Sequence, residues 1–505
     1  MPDLIPPPPP VAPPSLEYSW RIAPRWRMWT LALAPLAALG LAMVARALCT
    51  PDLSPAATIT LAILLLAAIL WATEAISGVA TALLAIALIV ALLGLPASFG
   101  HQWATRGNAI TGWTQFLAPA GDPVMLLLLG SVILSEAARR TGMDRVIGSI
   151  ILRPFAGSAS RLVLGVLIAS AWLSLWTSNT ATAALMLSIT RPLWSDDSLD
   201  RRVRAGILMA VALGANIGGL GSPVGTPPNA IVFQRLAELG HPMNFLQWMA
   251  VGVPIAVFAL ALGWVAMRAV IRWPRTTGAI DLRGLSRPPD DEHSAPPWTR
   301  RLTAVVFVLT IMLWITGHWT GIPVAVVALL PLAVFPVAGI VRPADFAHLE
   351  WDVLLLILGG LVLGRAMEDS GLAAQLVAQL PVDSMSPLLV VATMALAALA
   401  LSAFMSNTAT ATLLCPIGLA VASAMESPPS TGNDSPEMPE GSLITSVGLA
   451  IAMGAGNAMF LPVSTPANAL VARAGLVTTR QFLLVGAVVA LAGIASVMLL
   501  GVILP

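Results

Sequence analysis

The chain has 505 residues, of which 57% are hydrophobic and only 10% charged, with a mean hydropathy of +0.86 and a formal net charge of +1. A soluble core cannot absorb that much apolar surface, which excludes a cytosolic globular protein, and the balanced charge gives no signal for nucleic acid. All 26 basic residues are Arg, as in proteins from GC-rich bacterial genomes, and Cys49 and Cys415 lie in unlike settings that indicate neither a disulfide framework nor a metal site.

The amino terminus opens with Pro6 to Pro10, followed by Pro13 and Pro14. Such a segment cannot build a packed core, so residues 1–28 are expected to be a disordered cytoplasmic tail. Arg21, Arg25 and Arg27 lead into the apolar run from Trp29 to Val44. That basic preamble is long for a cleaved signal peptide, and residues 29–50 are read as an uncleaved first transmembrane helix. Apolar runs of bilayer-spanning length follow at 56–73, 76–95, 123–138, 203–222, 246–270, 302–318, 322–341, 352–367, 443–461 and 481–503. Two further stretches, 162–190 and 387–422, carry one phrase, Ser-x-x-x-Ser-Asn-Thr-Ala-Thr-Ala, at Ser174 to Ala183 and at Ser402 to Ala411. Each is read as a re-entrant hairpin that dips into the membrane and returns on the same side. The expected fold is an all-α polytopic membrane protein with about 11 transmembrane helices plus two re-entrant hairpins.

With a cytoplasmic amino terminus, this layout puts all but four of the 26 Arg on the cytoplasmic side, leaving Arg46, Arg106, Arg235 and Arg365 outside. The asymmetry obeys the positive-inside rule and would be scrambled if the hairpins were complete spans. The first hairpin then enters from the cytoplasm and the second from outside. A segment from about Glu426 to Glu440, rich in Pro, Ser, Gly and acids, fits the external face.

The duplicated phrase belongs to a longer repeat. Gly130 and Thr141-Gly142-Met143 correspond to Gly359 and Ser370-Gly371-Leu372, displaced by 229 positions, and the Ser-Asn-Thr phrases are displaced by 228. A third marker follows in the same order: Pro223-Val224-Gly225-Thr226-Pro227-Pro228-Asn229-Ala230 against Pro462-Val463-Ser464-Thr465-Pro466-Ala467-Asn468-Ala469. Residues 51–272 form repeat 1, 273–299 a cytoplasmic linker and 300–505 repeat 2. Each repeat holds an odd number of spans, so the copies lie in opposite orientations, an arrangement common in secondary transporters.

The third marker predicts a broken helix in each repeat. Gly214 to Gly225 followed by Pro227 and Pro228 should interrupt a helix begun near Val203, which resumes at about Asn229; the second copy should break at Pro462 to Pro466. Proline removes a donor and frees carbonyl oxygens, and broken backbone at membrane depth is tolerated where it lines a polar cavity. Short hydroxyl and amide side chains beside such carbonyls suit cation and anion coordination, whereas a single small-polar motif would serve only as helix-packing glue. The ionisable Glu74, Glu136, Arg139, Arg365, Glu368 and Asp369 near span ends are expected to snorkel or form ion pairs, and the 16 Trp to anchor the interfaces.

Paired Ser-Asn-Thr hairpins followed by Gly-Thr-Pro-Pro-Asn and Ser-Thr-Pro-Ala-Asn resemble the divalent anion/sodium symporter family over nearly the whole chain from about residue 50. The resemblance implies sodium ions as co-transported species, bound by Ser174, Ser178, Asn179 and Gly225 in one site and by Ser402, Met405, Ser406, Asn407 and Ser464 in the other. It implies a small dianion met by Asn179, Thr180, Asn407, Thr408, Thr465 and Pro466. It further implies elevator-like motion within a homodimer. Two positions depart from the common pattern: Ala467 replaces a frequent second proline, and Met405 is bulkier than usual.

Cation coupling also follows from charge. The proposed ligands include no Arg, Lys or His, and one sodium about 5 Å from a carboxylate supplies roughly 3 kcal/mol at an effective dielectric near 20. Moving a dianion inward against the membrane potential costs about 4.6 kcal/mol per 100 mV, which two sodium ions cancel. The reading is a sodium-coupled symporter of a small divalent anion, first a C4-dicarboxylate, in a bacterial inner membrane. The alternatives are an anion exchanger or sulfate transporter of the same fold and, more remotely, a channel or an intramembrane enzyme. The last lacks a base near its serines. No organic cofactor and no nucleic-acid partner are expected.

Overall fold

The computed structural model describes residues 25–49, 53–105, 109–155, 157–274, 296–379, 385–426 and 442–503. Most of the expected tail and linker, and nearly all of the acidic 426–440 segment, lie outside the described residues. Among the described residues all regular structure is helical. The main helices are α1 (Arg25–Val44), α2 (Pro55–Thr73), α3 (Gly78–Ile89), α4 (Pro123–Thr141), α5 (Met143–Leu152), α6 (Ala159–Ser174), α7 (Asn179–Trp194), α8 (Arg201–Gly218), α9 (Pro227–Glu238) and α10 (Phe245–Ile271). They continue with α11 (Pro297–Ile315), α12 (Val324–Val337), α13 (Trp351–Asp369), α14 (Leu372–Val377), α15 (Pro387–Ser402), α16 (Asn407–Glu426), α17 (Ser442–Gly456), α18 (Pro466–Ala472) and α19 (Thr479–Ile503).

From α2 to α10 and from α11 to α19 the order of elements is the same. Two helices come first, then a long helix with a short appendage, a hairpin, a broken helix and a closing helix. Local chemistry repeats too. Gly142 and Gly371 both adopt positive φ, 64° and 74°, and end α4 and α13 in the left-handed turn that glycine permits. Gly130 lets α4 press on Ala328 of α12, where a Cβ would lie 2.6 Å from the alanine Cβ, and Gly359 lets α13 press on Ala82 of α3 at 2.5 Å. The long helix of each half therefore packs on the other half, and the two halves interlock.

Burial divides these helices into two sets. One apolar core joins α2, α3 and α13, and another joins α4, α11 and α12. The hairpins and broken helices form cores of their own, with α8 and α17 at their centres and buried on all sides. Each half also contributes to the other's core: α7 packs on α18, and α9 packs on α16.

Several boundaries differ from expectation. The first helix begins at Arg25 rather than 29, and α11 begins at Pro297, inside the expected linker. α8 continues through Gly214 to Gly218, because these glycines bring it against the backbone of α6: a Cβ at Gly214 would lie 2.5 Å from Leu167 O. The chain then resumes at Pro227, two residues before Asn229, since proline is favoured in the first turn of a helix. The second break opens after Gly456, well before Pro462. Nine described helical segments are long and apolar enough to cross a membrane, and one of them, Asn407–Glu426, is an arm of the second hairpin. Three Trp expected at the interfaces, Trp248, Trp273 and Trp314, are fully buried instead.

Candidate cation and anion site

Each hairpin turns on four residues, 175–178 in the first and 403–406 in the second, and its second arm starts at the asparagine of the duplicated phrase. The preceding serine caps that arm: Ser178 Oγ accepts from Ala181 N at 3.2 Å and Ser406 Oγ from Ala409 N at 3.1 Å. Capping fixes the asparagine in the first helical turn, with its side chain turned back toward the end of the first arm. There Ser174 Oγ lies 2.8 Å from Asn179 Oδ1 and 2.6 Å from the carbonyl oxygen of Ala215 in α8. In the second hairpin Ser402 Oγ lies 2.7 Å from Asn407 Oδ1 and 2.9 Å from Ala455 O in α17. Both serines are fully buried. Each serine hydroxyl faces two acceptor oxygens, so three oxygens converge beside each hairpin tip.

The broken helices close these clusters. The side of Gly219 that a Cβ would occupy faces both Asn179 Oδ1 and Gly225 O, which places the Gly225 backbone beside the first cluster. Asn229 knits the first break by donating to Gly219 O at 3.0 Å and Ser222 O at 2.8 Å. Asn468 does the same in the second, donating to Met459 O at 2.8 Å and Leu461 O at 2.9 Å. Thr465 Oγ1 accepts from Asn468 N at 3.1 Å, which leaves its hydroxyl proton for another acceptor. Thr226 Oγ1, its counterpart, is buried and makes no hydrogen bond among the described residues.

The structure thus joins Ser174, Asn179 and Gly225 on one side and Ser402 and Asn407 on the other. Thr180 and Thr408 stand in the first turns of α7 and α16, half-buried and buried respectively, and Pro466 is exposed at the start of α18. Met405 is buried behind the second hairpin tip. Ser464 Oγ is turned to Leu461 O at 2.8 Å, and no hydrogen bond joins it or Met405 to Ser402 or Asn407 among the described residues. Sequence reasoning missed the carbonyls of Ala215 and Ala455, because a backbone oxygen has no residue-type signature. It also missed Glu350, which stands just before α13 and accepts from Ser178 Oγ at 2.7 Å. Burial raises the Glu350 carboxyl above its usual range, and the Ser178 hydrogen bond opposes that shift.

The two halves differ in access. A cavity of about 370 Å³ runs beside the first hairpin, lined by Ser131 and Ser135 of α4, Thr177 and Ser178 at the hairpin tip, and Gly225 at the first break. It continues past Leu185 and Ser188 to Arg139 and Arg145 at the helix ends, and it holds α4 and α7 apart. In the second half α13 and α16 are in contact instead, with Gly360 seated against the Thr412 side chain. At the ends of the spans, Glu136 pairs with Arg139 and Arg140, Arg365 with Asp369 at 2.6 Å, and Arg235 with Glu238 and Glu368.

Interlocked helical halves, capped hairpins and broken helices around oxygen-rich clusters define a multi-pass membrane transporter of the secondary type. A family model described as "Citrate transporter" matches residues 68–321 and 311–504. The "Sodium-dependent dicarboxylate transporter SdcS" of Staphylococcus saprophyticus is 30% identical over 416 residues, covering 76% of either chain. The Staphylococcus aureus protein of that name is 28% identical over 395 residues, covering 72% of this chain and 73% of the relative. The chain belongs to this family, the divalent anion/sodium symporters, whose members are transporters and not enzymes. Among solved structures, the Alcanivorax borkumensis YdaH transporter shares the fold, with a TM-score of 0.54 at 13% identity, over 86% of this chain and 98% of that one.

Proposed function

We propose that the chain couples sodium to the uptake of a small divalent anion across a bacterial inner membrane, with a C4-dicarboxylate such as succinate as its substrate. The observation that carries this reading is the pair of oxygen clusters, Ser174–Asn179–Ala215 and Ser402–Asn407–Ala455. Three oxygens converging within hydrogen-bond distance offer a ready ligand set for a bare monovalent cation. The first sodium takes Ser174, Ser178, Asn179 and the Gly225 carbonyl, joined by Ala215 O. The second takes Ser402, Ser406, Asn407 and the carbonyls of Met405 and Ser464, joined by Ala455 O.

The dianion then sits between the clusters. It accepts from the amides of Asn179 and Asn407 and from the hydroxyls of Thr180, Thr408 and Thr465, with Pro466 as an apolar wall. Two sodium ions supply the positive charge that these residues lack. Relatives named as sodium-dependent dicarboxylate transporters support both the cation and the anion class. The repeats are inverted, and the cavity beside α7 is the open path on one side. In the opposite state α4 closes on α7 while α13 parts from α16, and the hairpins and broken helices travel as one unit against α2, α3, α4, α11, α12 and α13 within a homodimer.

The experiment is uptake of radiolabelled succinate, citrate and sulfate into proteoliposomes with and without a sodium gradient. Succinate uptake that needs sodium supports the proposal. Sodium-independent uptake of any of the three overturns it.

A further inference from the structure

Ser178 makes a contact that its counterpart Ser406 does not. Both hydroxyl oxygens accept a capping N–H from their own helix, but Ser178 also donates to Glu350 Oε1 at 2.7 Å, across the gap between the first hairpin and the start of α13. Glu350 lies 172 residues away along the chain and makes no ion pair among the described residues. Its side chain does not cap α13, so the helix does not need it. Ser406 is exposed and makes no such bond.

A serine hydroxyl has one proton and two lone pairs. In Ser178 the capping N–H of Ala181 takes one lone pair, and the direction of the proton decides whether the second is free for a cation. A hydroxyl proton pointing at the cation position would repel the ion; one drawn to a carboxylate leaves the lone pair open and adds negative charge to Oγ. The geometry points to Glu350 as a positioning residue for sodium: it holds the Ser178 proton away from the first cation position and so prepares the hydroxyl as a ligand. This rests on the sodium reading above. The residue touches neither cargo; it acts through Ser178, and only while the hairpin tip stands beside the α13 start. The two sodium positions are consequently unequal, the first being prepared from the scaffold and the second by its own hairpin alone.

The test measures sodium dependence of succinate uptake by wild type, Glu350→Ala and Glu350→Gln in proteoliposomes, with membrane-extracted protein checked for a single folded species. In Glu350→Ala the half-saturating sodium concentration should rise about tenfold, the scale of one charge-assisted hydrogen bond. The maximal rate at high sodium should stay within about twofold, since the remaining ligands are intact. Glu350→Gln keeps a neutral acceptor for the same proton and should fall between, at about threefold, and it gives the answer alone if the alanine variant does not fold. Unchanged half-saturation in both variants, with uptake still sodium-dependent, overturns the inference and leaves the transport reading standing. A lower maximal rate at unchanged half-saturation also overturns it, because that is the mark of a purely structural contact. Sodium-independent uptake by the wild type removes the reading and the inference together.

Discussion

Asn216 in α8 donates its side-chain amide to Asn468 Oδ1 in α18 at 2.8 Å, and both residues are fully buried. Asn468 passes the connection on to the carbonyls of Met459 and Leu461, so one chain of hydrogen bonds runs from the helix that flanks the first cluster into the backbone of the second break. Asn216→Ala removes the donor to Asn468 Oδ1 and leaves a buried acceptor unpaired, at a cost of about 1–3 kcal/mol. A lower melting temperature in detergent and a weaker cooperativity of sodium activation are expected. A variant with wild-type melting and cooperativity would show that the bond joins nothing.

The two asparagines of the duplicated phrase should be far less tolerant. Asn179→Ala and Asn407→Ala each remove an oxygen 2.7–2.8 Å from the neighbouring serine and, on the proposed reading, an amide that donates to the dianion. Each should abolish uptake while the protein still inserts and elutes as the wild type does. Near-normal transport by both would sink the proposed site.

Sequence and structure agree where the chemistry is local. The hairpin tips are legible because each depends on a few consecutive residues, whereas the breaks are only located roughly: α9 restarts at Pro227 rather than Asn229, and the second break opens after Gly456 rather than at Pro462. The paired glycines, Gly130 and Gly359, marked the repeat, but their partners Ala328 and Ala82 could not be read, since each helix packs on the opposite half of the chain. Gly214 reads as part of a break in the sequence but lies inside α8, because a glycine that loosens a helix and one that lets two helices touch look alike in sequence. Glu350 was invisible for the same reason as Ala215 O: its role comes from a contact made across the fold, and nothing in the local pattern announces it.

Arg235 and Glu368 give a test of movement. Arg235 lies in α9, within the hairpin and broken-helix set, is nearly buried, and pairs across to Glu368 near the end of α13 as well as to Glu238 in its own helix. Arg235 is buried while Glu368 and Glu238 reach solvent, so reversing the charge at 235 places a carboxylate in the buried position against two acidic neighbours. If the pair closes one side while the other is open, Arg235→Glu should cut uptake by at least about tenfold. Adding Glu368→Arg should recover part of it, because Glu238 remains to pair with the new cation at 368. Equal losses in the single and double variants would mean that the contact plays no part in closing.

Sidedness is open to labelling. Cysteines introduced at Ser158, just before α6, and at Gly441, just before α17, should react from opposite faces of the membrane if the repeats are inverted. Same-side labelling by an impermeant maleimide would refute the inverted arrangement.

Symport and exchange make opposite demands on the empty carrier. With no basic residue among the proposed ligands, the loaded site needs sodium to form, whereas the empty one carries no positive charge that a returning anion would have to neutralise. Substrate affinity should therefore rise steeply with sodium, and by linkage sodium affinity should rise with substrate by the same factor. Two sodium ions balance a dianion, so uptake stimulated by an interior-negative potential would report a third. Uptake is expected in vesicles that contain no anion, driven by the sodium gradient alone. Should transport appear only after preloading with dicarboxylate and ignore sodium, the chain is an exchanger, and the oxygen clusters around Ser174 and Ser402 serve some purpose other than holding the coupling ion.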